Sequence, residues 1–205
     1  MSKHSQREIA HLLRRAGFGP SAEEFDEHAA LGFERTVDRL VAGLEAPPPA
    51  DPPGLNVYLP GAAGAAWLER MRATRTPLAE KLALFWHGHF ATSVRKVEDP
   101  KLMWRQMSTF RALGGGRFRA LVAAVSRDPA MIRWLDGNSN RRGAPNENYA
   151  RELMELFTIG RGNYTETDVR EAARAFTGWG AETSGYVFRR EYHDAGLKTV
   201  LGETG

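Results

Sequence analysis

The sequence of 205 residues is 42% hydrophobic and 26% charged, a composition typical of a globular protein with a substantial core. It contains no cysteine, which excludes disulfides, thiolate metal sites and a cysteine nucleophile. Lysine and arginine number 28 against 25 acidic residues. These basic residues are scattered rather than gathered on one stripe, so a nucleic-acid partner is not expected. No run of about 18 uncharged apolar residues occurs, so the sequence predicts no membrane span.

Residues 1–44 are predicted to form an N-terminal helical segment. Ile9, Leu12 and Leu13 recur at helical spacing, and this helix is expected to stop before Pro20. The segment begins with charged residues that no apolar run follows. It therefore does not resemble a secretory signal, and a cytoplasmic location is expected.

Residues 45–60 are predicted to form a proline-rich linker. The prolines of this stretch are Pro47, Pro48, Pro49, Pro52, Pro53 and Pro60. A segment of this composition is stiff and extended because proline fixes its own backbone and restricts the residue before it. Such a segment is usually a spacer, and less often a ligand for a proline-reading domain.

Residues 61–205 are predicted to form the main helical domain. A capping residue followed by proline marks the start of a helix three times, at Thr76, Asp99 and Asp128. Two amphipathic helices are predicted at about 147–158 and 166–177, and only residues 186–188 look strand-like. The alternation of strands and helices that a parallel sheet needs is missing. The expected fold is therefore mainly α, a multi-helix orthogonal or antiparallel bundle with a short β element near the C-terminal end.

Several long strings of the sequence resemble one family. They are HLLRRAGFGP (11–20), LFWHGHFATS (84–93), DPAMIRWLDG (128–137), NENYARELMELFTIG (146–160), YTETDVREAARAFTGW (164–179) and HDAGLKTVLGETG (193–205). In this order they resemble the family catalogued as domain of unknown function 1800. The resemblance implies a large bacterial protein whose relatives are commonly longer and often exported. This chain then looks like the N-terminal portion, with its main domain truncated at the C-terminal end, and export stays open. The resemblance carries no established activity.

The helix after Pro145 holds the first candidate catalytic residues. Glu152 and Glu155 lie three residues apart, so their carboxylates can reach one ligand. Paired carboxylates can hold a hard cation, or act as acid and base where burial shifts their pKa values. The alternative is a solvated polar face in which Glu147, Arg151 and Glu155 form a ladder of ion pairs.

Polar residues near these carboxylates are predicted to bind substrate. They are Asn146, Asn148, Arg151, Arg174 and Lys198. If the two amphipathic helices pair antiparallel, arginines of one can face glutamates of the other, forming an ionic network or a pocket for a phosphate or carboxylate. The alternatives are an N-cap role for Asn146 and two helices packed only through their apolar faces.

His87 and His89 are predicted as metal ligands. Two histidines that are two residues apart share a face when the backbone is extended, and can then bind one metal ion. In a helix their side chains diverge by about 200°. The preceding periodicity is helical, which favours a core histidine bonded to the backbone, while Gly88 leaves a break in the helix open.

His193 and Asp194 complete the set of predicted catalytic residues. An adjacent imidazole and carboxylate supply nitrogen and oxygen ligands, or a base beside an acid. They follow the strand-like segment in a polar loop, a common location for function. The alternative is a turn formed by Asp194 and Gly196.

The leading functional hypothesis is a hydrolase-like reaction on a polar or anionic substrate, with a divalent metal as an open option for the unknown cofactor. The concentration of ionisable residues at 146–198 motivates it. The alternative is a protein-interaction or scaffolding module without catalysis, in which polar helix faces bind a partner. The sequence lacks a P-loop, a G-x-S-x-G elbow and an H-E-x-x-H motif, so it assigns no reaction by motif.

Overall fold

The structure, a computed structural model, describes the backbone of residues 3–205 and the side chains of residues 6–205. Its α-helices are α1 (Lys3–Ala16), α2 (Ala22–Leu31), α3 (Phe33–Ala42), α4 (Ala62–Ala73), α5 (Pro77–Phe90), α6 (Val94–Val97), α7 (Pro100–Leu113), α8 (Phe118–Ser126), α9 (Pro129–Trp134), α10 (Asn148–Glu152) and α11 (Glu166–Ala175). Antiparallel hairpins pair β1 (Trp179–Glu182) with β2 (Gly185–Phe188), and β3 (Thr199–Val200) with β4 (Glu203–Thr204). The predicted mainly α fold with a short β element near the C-terminal end is confirmed.

Local capping chemistry explains where the helices begin. The predicted starts at Pro77, Pro100 and Pro129 are the first residues of α5, α7 and α9. At α9, the Asp128 carboxylate accepts the backbone N–H of Met131. Such bonds satisfy N–H groups that have no partner within the helix, so a short sequence signal is enough to place the start.

The first compact unit comprises residues up to Gly88 together with Met107–Leu121. Its described apolar core includes Ile9 and Leu13 from α1 and Leu40 from α3, and Leu78 from α5 packs against them. The helical period places these side chains on one face of each helix, which is why α1, α3 and α5 share a core.

The second compact unit comprises His89–Gln106 and Val122–Gly205. One part of its core joins Ala150 and Met154 to Val169 and Ala173 of α11. Small alanines allow the backbone of α11 to approach closely, and Val200 of β3 packs against the same cluster. This packing supports the polar groups that surround α11.

The proline-rich segment is exposed but is bonded to a neighbouring helix. Arg70 of α4, buried at 9% exposure, donates from Nη2 to the Ala50 carbonyl (3.2 Å) and to the Asp51 carboxylate (3.3 Å). The division into 1–44, 45–60 and 61–205 stays a prediction. Within residues 3–205, every helix is too short or too polar to cross a bilayer.

Candidate functional site

Three segments of the second unit meet at Gly178. The Gly178 N–H donates to the Asn140 carbonyl (3.0 Å), and the Gly178 carbonyl accepts the Arg189 N–H (2.8 Å). The Arg142 N–H donates to the Tyr192 carbonyl (2.7 Å). These backbone bonds bring the loop after α9 and the end of α11 against the segment that carries His193.

Substituting Gly178 with alanine is expected to destabilise the protein by more than about 2 kcal/mol. Gly178 has φ +80°, and an added Cβ would lie 2.5 Å from the Arg189 carbonyl oxygen. The matched control is Gly162→Ala, with φ +84° and no atom near its Cβ, which should cost about 1 kcal/mol. Chemical denaturation of the two variants measures the difference. Equal losses of stability in the two variants would show that the backbone around Gly178 leaves room for an added side chain.

His193 is oriented by the end of α11. Its Nδ1 lies 2.8 Å from the Thr177 carbonyl oxygen and 3.4 Å from Thr177 Oγ1. A carbonyl oxygen only accepts, so Nδ1 carries the proton and Nε2 presents a lone pair. The half-buried ring packs edge-on against Phe188, with 5.2 Å between centroids. In the part of the chain whose side chains are described, no hydrogen-bond partner engages Nε2, which can therefore act as a base or as a ligand.

Asp194 is paired with Arg174 of α11. Arg174 donates from Nε to Oδ2 (2.8 Å) and from Nη2 to Oδ1 (3.3 Å), while its Nη1 reaches both oxygens of Glu171 (2.9 and 2.8 Å). The Arg174 guanidinium, with help from the Gly196 N–H, lowers the pKa of Asp194 to about 2. Asp194 is thus ionised at neutral pH and cannot supply a proton. Lys198 Nζ donates to the Asp194 carbonyl.

The acidic side of α11 also fixes the C-terminal hairpin. The Thr199 N–H donates to Glu171 Oε2 (3.3 Å), and the Leu201 N–H donates to Asp168 Oδ1 (2.6 Å). Asp168 additionally closes the capping box of α11 with Thr165. Carboxylates that accept two or more such bonds hold loops in place. We conclude that α11 organises the whole segment from His193 to Leu201.

Glu152 and Glu155 have different surroundings. Glu155 accepts from Arg161 Nε (2.5 Å) and from the Tyr164 hydroxyl (3.0 Å), and the Arg161 guanidinium holds its pKa below the usual range. Glu152 is half-buried, and within the described part of the chain no hydrogen bond or ion pair engages its carboxylate. A π-helical turn, Leu153–Phe157, follows it directly. Such turns are frequent at functional sites, because they re-aim side chains within a helix.

Arg151 joins α10 to α11. It donates to both carboxylate oxygens of Glu166 (2.8 Å each) and to Glu147 (3.0 Å). An arginine of one helix thus faces a glutamate of the next. The Glu147–Arg151 step of the ladder is present, whereas Glu155 pairs with Arg161. The Arg151 guanidinium is therefore engaged by protein carboxylates.

Asn146 and Asn148 brace the loop before α10. Asn146 donates from Nδ2 to Ser139 Oγ (2.8 Å), and its Oδ1 accepts the Asn148 N–H (2.9 Å). Asn148 Nδ2 donates to the Leu135 carbonyl (3.4 Å). Glu147 already has helical backbone angles and makes no side-chain capping bond. The bond from the Asn148 N–H to Asn146 Oδ1 therefore caps the start of the helix, in agreement with the N-cap alternative for Asn146.

His87 and His89 both lie in α5, where a separation of two residues turns their side chains about 200° apart. His89 Nε2 lies 3.1 Å from the Phe157 carbonyl oxygen. The His87 ring packs edge-on against Trp67, and burial lowers its pKa. The extended backbone that would let the two histidines share a metal ion is not present here. Among the side chains of residues 6–205, no three or more histidines, aspartates or glutamates are grouped so as to hold a metal ion.

The model of the family described as protein of unknown function (DUF1800) matches residues 11–205. This chain belongs to the DUF1800 family. Comparison with the curated proteins and with the solved structures finds no match. Every predicted site residue of this DUF1800 chain lies within the matched span. The family description assigns no activity, so function has to be argued from the site.

The predicted residues of the DUF1800 chain fall into separate groups. His193, Asp194, Arg174 and Lys198 share one network around the end of α11. The Glu155 carboxylate binds a different arginine, and no hydrogen bond among the described residues connects it, or Glu152, to that network.

Sequence reasoning missed Thr177, whose carbonyl orients His193 and whose Oγ1 accepts the Asp194 N–H (2.8 Å). A backbone carbonyl leaves no residue-type signal in a sequence, so this contact could not be found there. The threonine directly precedes a glycine with positive φ, which marks only the end of the helix.

Proposed function

We propose that this DUF1800 chain carries a hydrolase-like site in which His193 Nε2 accepts a proton from the attacking water. The observation that supports this most is the hydrogen bond from His193 Nδ1 to the Thr177 carbonyl. It fixes one tautomer and one ring orientation, as a general base requires. Asp194 is then a positioning residue. Its carboxylate is paired with Arg174, and its backbone N–H donates to Thr177 Oγ1, so it holds the segment next to His193 in place.

Glu152, which lies outside the hydrogen-bond network of His193, is proposed as a second ionisable group that a substrate could meet. Glu155 is held ionised by Arg161, whereas Glu152 is half-buried and no described side chain engages it. A carboxylate in such a position can exchange a proton with a bound substrate. Glu155 would then support Glu152 by fixing the π-helical turn between them through Arg161 and Tyr164.

The substrate of the proposed reaction is polar or anionic. Arg141, Arg142 and Arg190 are exposed, and no ion pair engages them within the described part of the chain. The Arg142 N–H donates to the Tyr192 carbonyl, one residue before His193, so the backbone of this arginine-bearing loop passes close to the base. Guanidinium groups bind phosphate and carboxylate in a bidentate manner, which suits an anionic group beside the reacting centre.

Hydrolysis of p-nitrophenyl phosphate or p-nitrophenyl acetate is expected to fall by about 100-fold in His193→Gln. The variant removes the Nε2 base but keeps a side chain of similar size. His11→Gln, at an exposed position of α1, is the matched control and should keep full activity. Repeating the assay with EDTA and with added divalent ions distinguishes a metal-assisted reaction from a metal-independent one. Turnover that survives in His193→Gln, or no turnover of either ester, would refute the proposal.

A protein-interaction or scaffolding role is the second candidate. Arg151 and Arg174 are already paired with glutamates, so a partner surface built on them has little support. The observation that favours the role is exposed apolar surface in the second unit, where Leu197 is 77% and Leu156 is 58% exposed. A cross-linked partner that is lost in Leu197→Ser, with no ester turnover, would support this candidate over the hydrolase.

A further inference from the structure

A cavity of about 390 Å³ in the first unit is lined by both signs of charge. It lies where α2, α3, the end of α4 and the start of α5 come together, and its size is at the lower end for small-molecule sites. The charged residues that line it are Glu23, Glu24, Glu27, Arg39, Arg72 and Arg75. Such a lining favours a ligand that carries charge itself.

Contacts within the protein already satisfy part of this charge. Arg39 pairs with Glu27 (3.4 Å), and Arg72 pairs with Glu69 on its own helix (2.8 Å). The Glu24 carboxylate closes the capping box of α2. Glu23 and Arg75 are exposed, and among the side chains that the structure describes, from residue 6 onward, no hydrogen bond or ion pair engages either of them. The cavity therefore offers one guanidinium and one carboxylate to a ligand.

His28 adds an acceptor to the same cavity. Thr36 Oγ1 donates its proton to the His28 carbonyl (3.2 Å), so it can only accept from His28 Nδ1, which lies 3.3 Å away. Nδ1 is therefore the protonated nitrogen, and Nε2 presents a lone pair. Burial lowers the pKa of His28, with a further contribution from Arg39, which favours the neutral ring. A neutral imidazole accepts a hydrogen bond from an ammonium group.

We propose that this cavity binds a small zwitterion, an α-amino acid or a dipeptide. Arg75 takes the carboxylate in a bidentate pair, while Glu23 and His28 Nε2 accept hydrogen bonds from the ammonium group. Leu40 and Pro77 line the cavity and supply apolar contact for the rest of the ligand. A ligand with a single charge would pair with only one of Glu23 and Arg75, whereas a zwitterion can pair with both, which makes the zwitterion the better fit. The site does not depend on His193.

Calorimetric titration of the full chain with the standard L-amino acids and with L-alanyl-L-alanine tests the proposal. At least one of these zwitterions should bind, and its N-acetylated and its C-amidated analogue should each bind more than about tenfold more weakly. The Arg75→Gln variant should bind the zwitterion more weakly than the wild type, also by about tenfold. Arg35→Gln, at an exposed position of α3 outside the cavity, is the matched control and should leave the affinity unchanged.

Three results would overturn the zwitterion site. They are the absence of binding by every amino acid and the dipeptide, equal binding of a blocked analogue, and unchanged affinity in Arg75→Gln. Because Arg75 is exposed and no described contact depends on it, its substitution should not disturb folding. Thermal melting of Arg75→Gln and Arg35→Gln checks that both variants are folded.

Discussion

Replacing Glu80 with alanine is expected to lower the free energy of unfolding by about 3–5 kcal/mol. The side chains of Glu80 and Arg111 are only 1% and 4% exposed. Arg111 donates from Nε to Oε1 (2.5 Å) and from Nη2 to Oε2 (2.7 Å), and the Trp67 indole N–H reaches Oε2 (3.3 Å). Without Glu80, a buried guanidinium and a half-buried indole N–H both lose their acceptor, and the uncompensated charge dominates the loss.

Denaturant titrations can distinguish the cost of leaving Arg111 buried without a counter-charge from the loss of the ion pair itself. The double variant Glu80→Leu with Arg111→Met should recover most of the loss, because two apolar side chains of similar volume need no counter-charge. Glu69→Gln is the surface control. It removes a partner of Arg72 in a pair that is mostly exposed, and should change stability very little. A Glu80→Ala variant as stable as wild type would mean that water reaches Arg111.

Local signals predicted the helices well because helix starts depend on neighbouring residues. Asp128 followed by Pro129 predicts the start of α9, and the Asp128 carboxylate does accept the N–H of a residue three positions on. The pairing of Glu80 with Arg111 has no such signal. In the sequence, Glu80 is the one acidic residue of a mainly apolar helix, and its partner lies 31 residues away.

The candidate site could be predicted only in part, because contacts between residues that are distant in the sequence leave no local signal. The sequence drew attention to His193, Asp194 and Arg174, but the distance of 20 residues between the last two gave no indication that they would pair. It also grouped Glu155 with Glu152 by helical spacing, whereas Arg161, six residues on, neutralises Glu155. Spacing fixes which residues share a helix face, and tertiary packing decides which charge each one meets.

The stability of the protein is expected to fall by about 3 kcal/mol as the pH rises from 3 to 7, through Asp128 alone. Asp128 is 5% exposed, and burial raises its pKa from the ordinary 3.8 to about 6. Between these two values the folded state holds a proton that the unfolded state has released, so raising the pH favours unfolding. Most of the loss should occur between pH 4 and 6.

Asp128→Asn isolates this contribution. Asparagine keeps an oxygen that can accept from Gln106 Nε2 (2.7 Å) and from the Met131 N–H (3.0 Å), but it does not titrate. The unfolding free energy of the wild type minus that of the variant should therefore decline by about 3 kcal/mol from pH 3 to 7. Other groups titrate in both proteins, so their contributions cancel in this difference. Asp38→Asn, at an exposed position of α3, controls for the loss of one negative charge. Asp194 acts with the opposite sign, since its pKa is lowered to about 2 and its stabilisation is lost only below pH 4. A difference that stays constant from pH 3 to 7 would show that Asp128 is ionised in the folded protein without penalty.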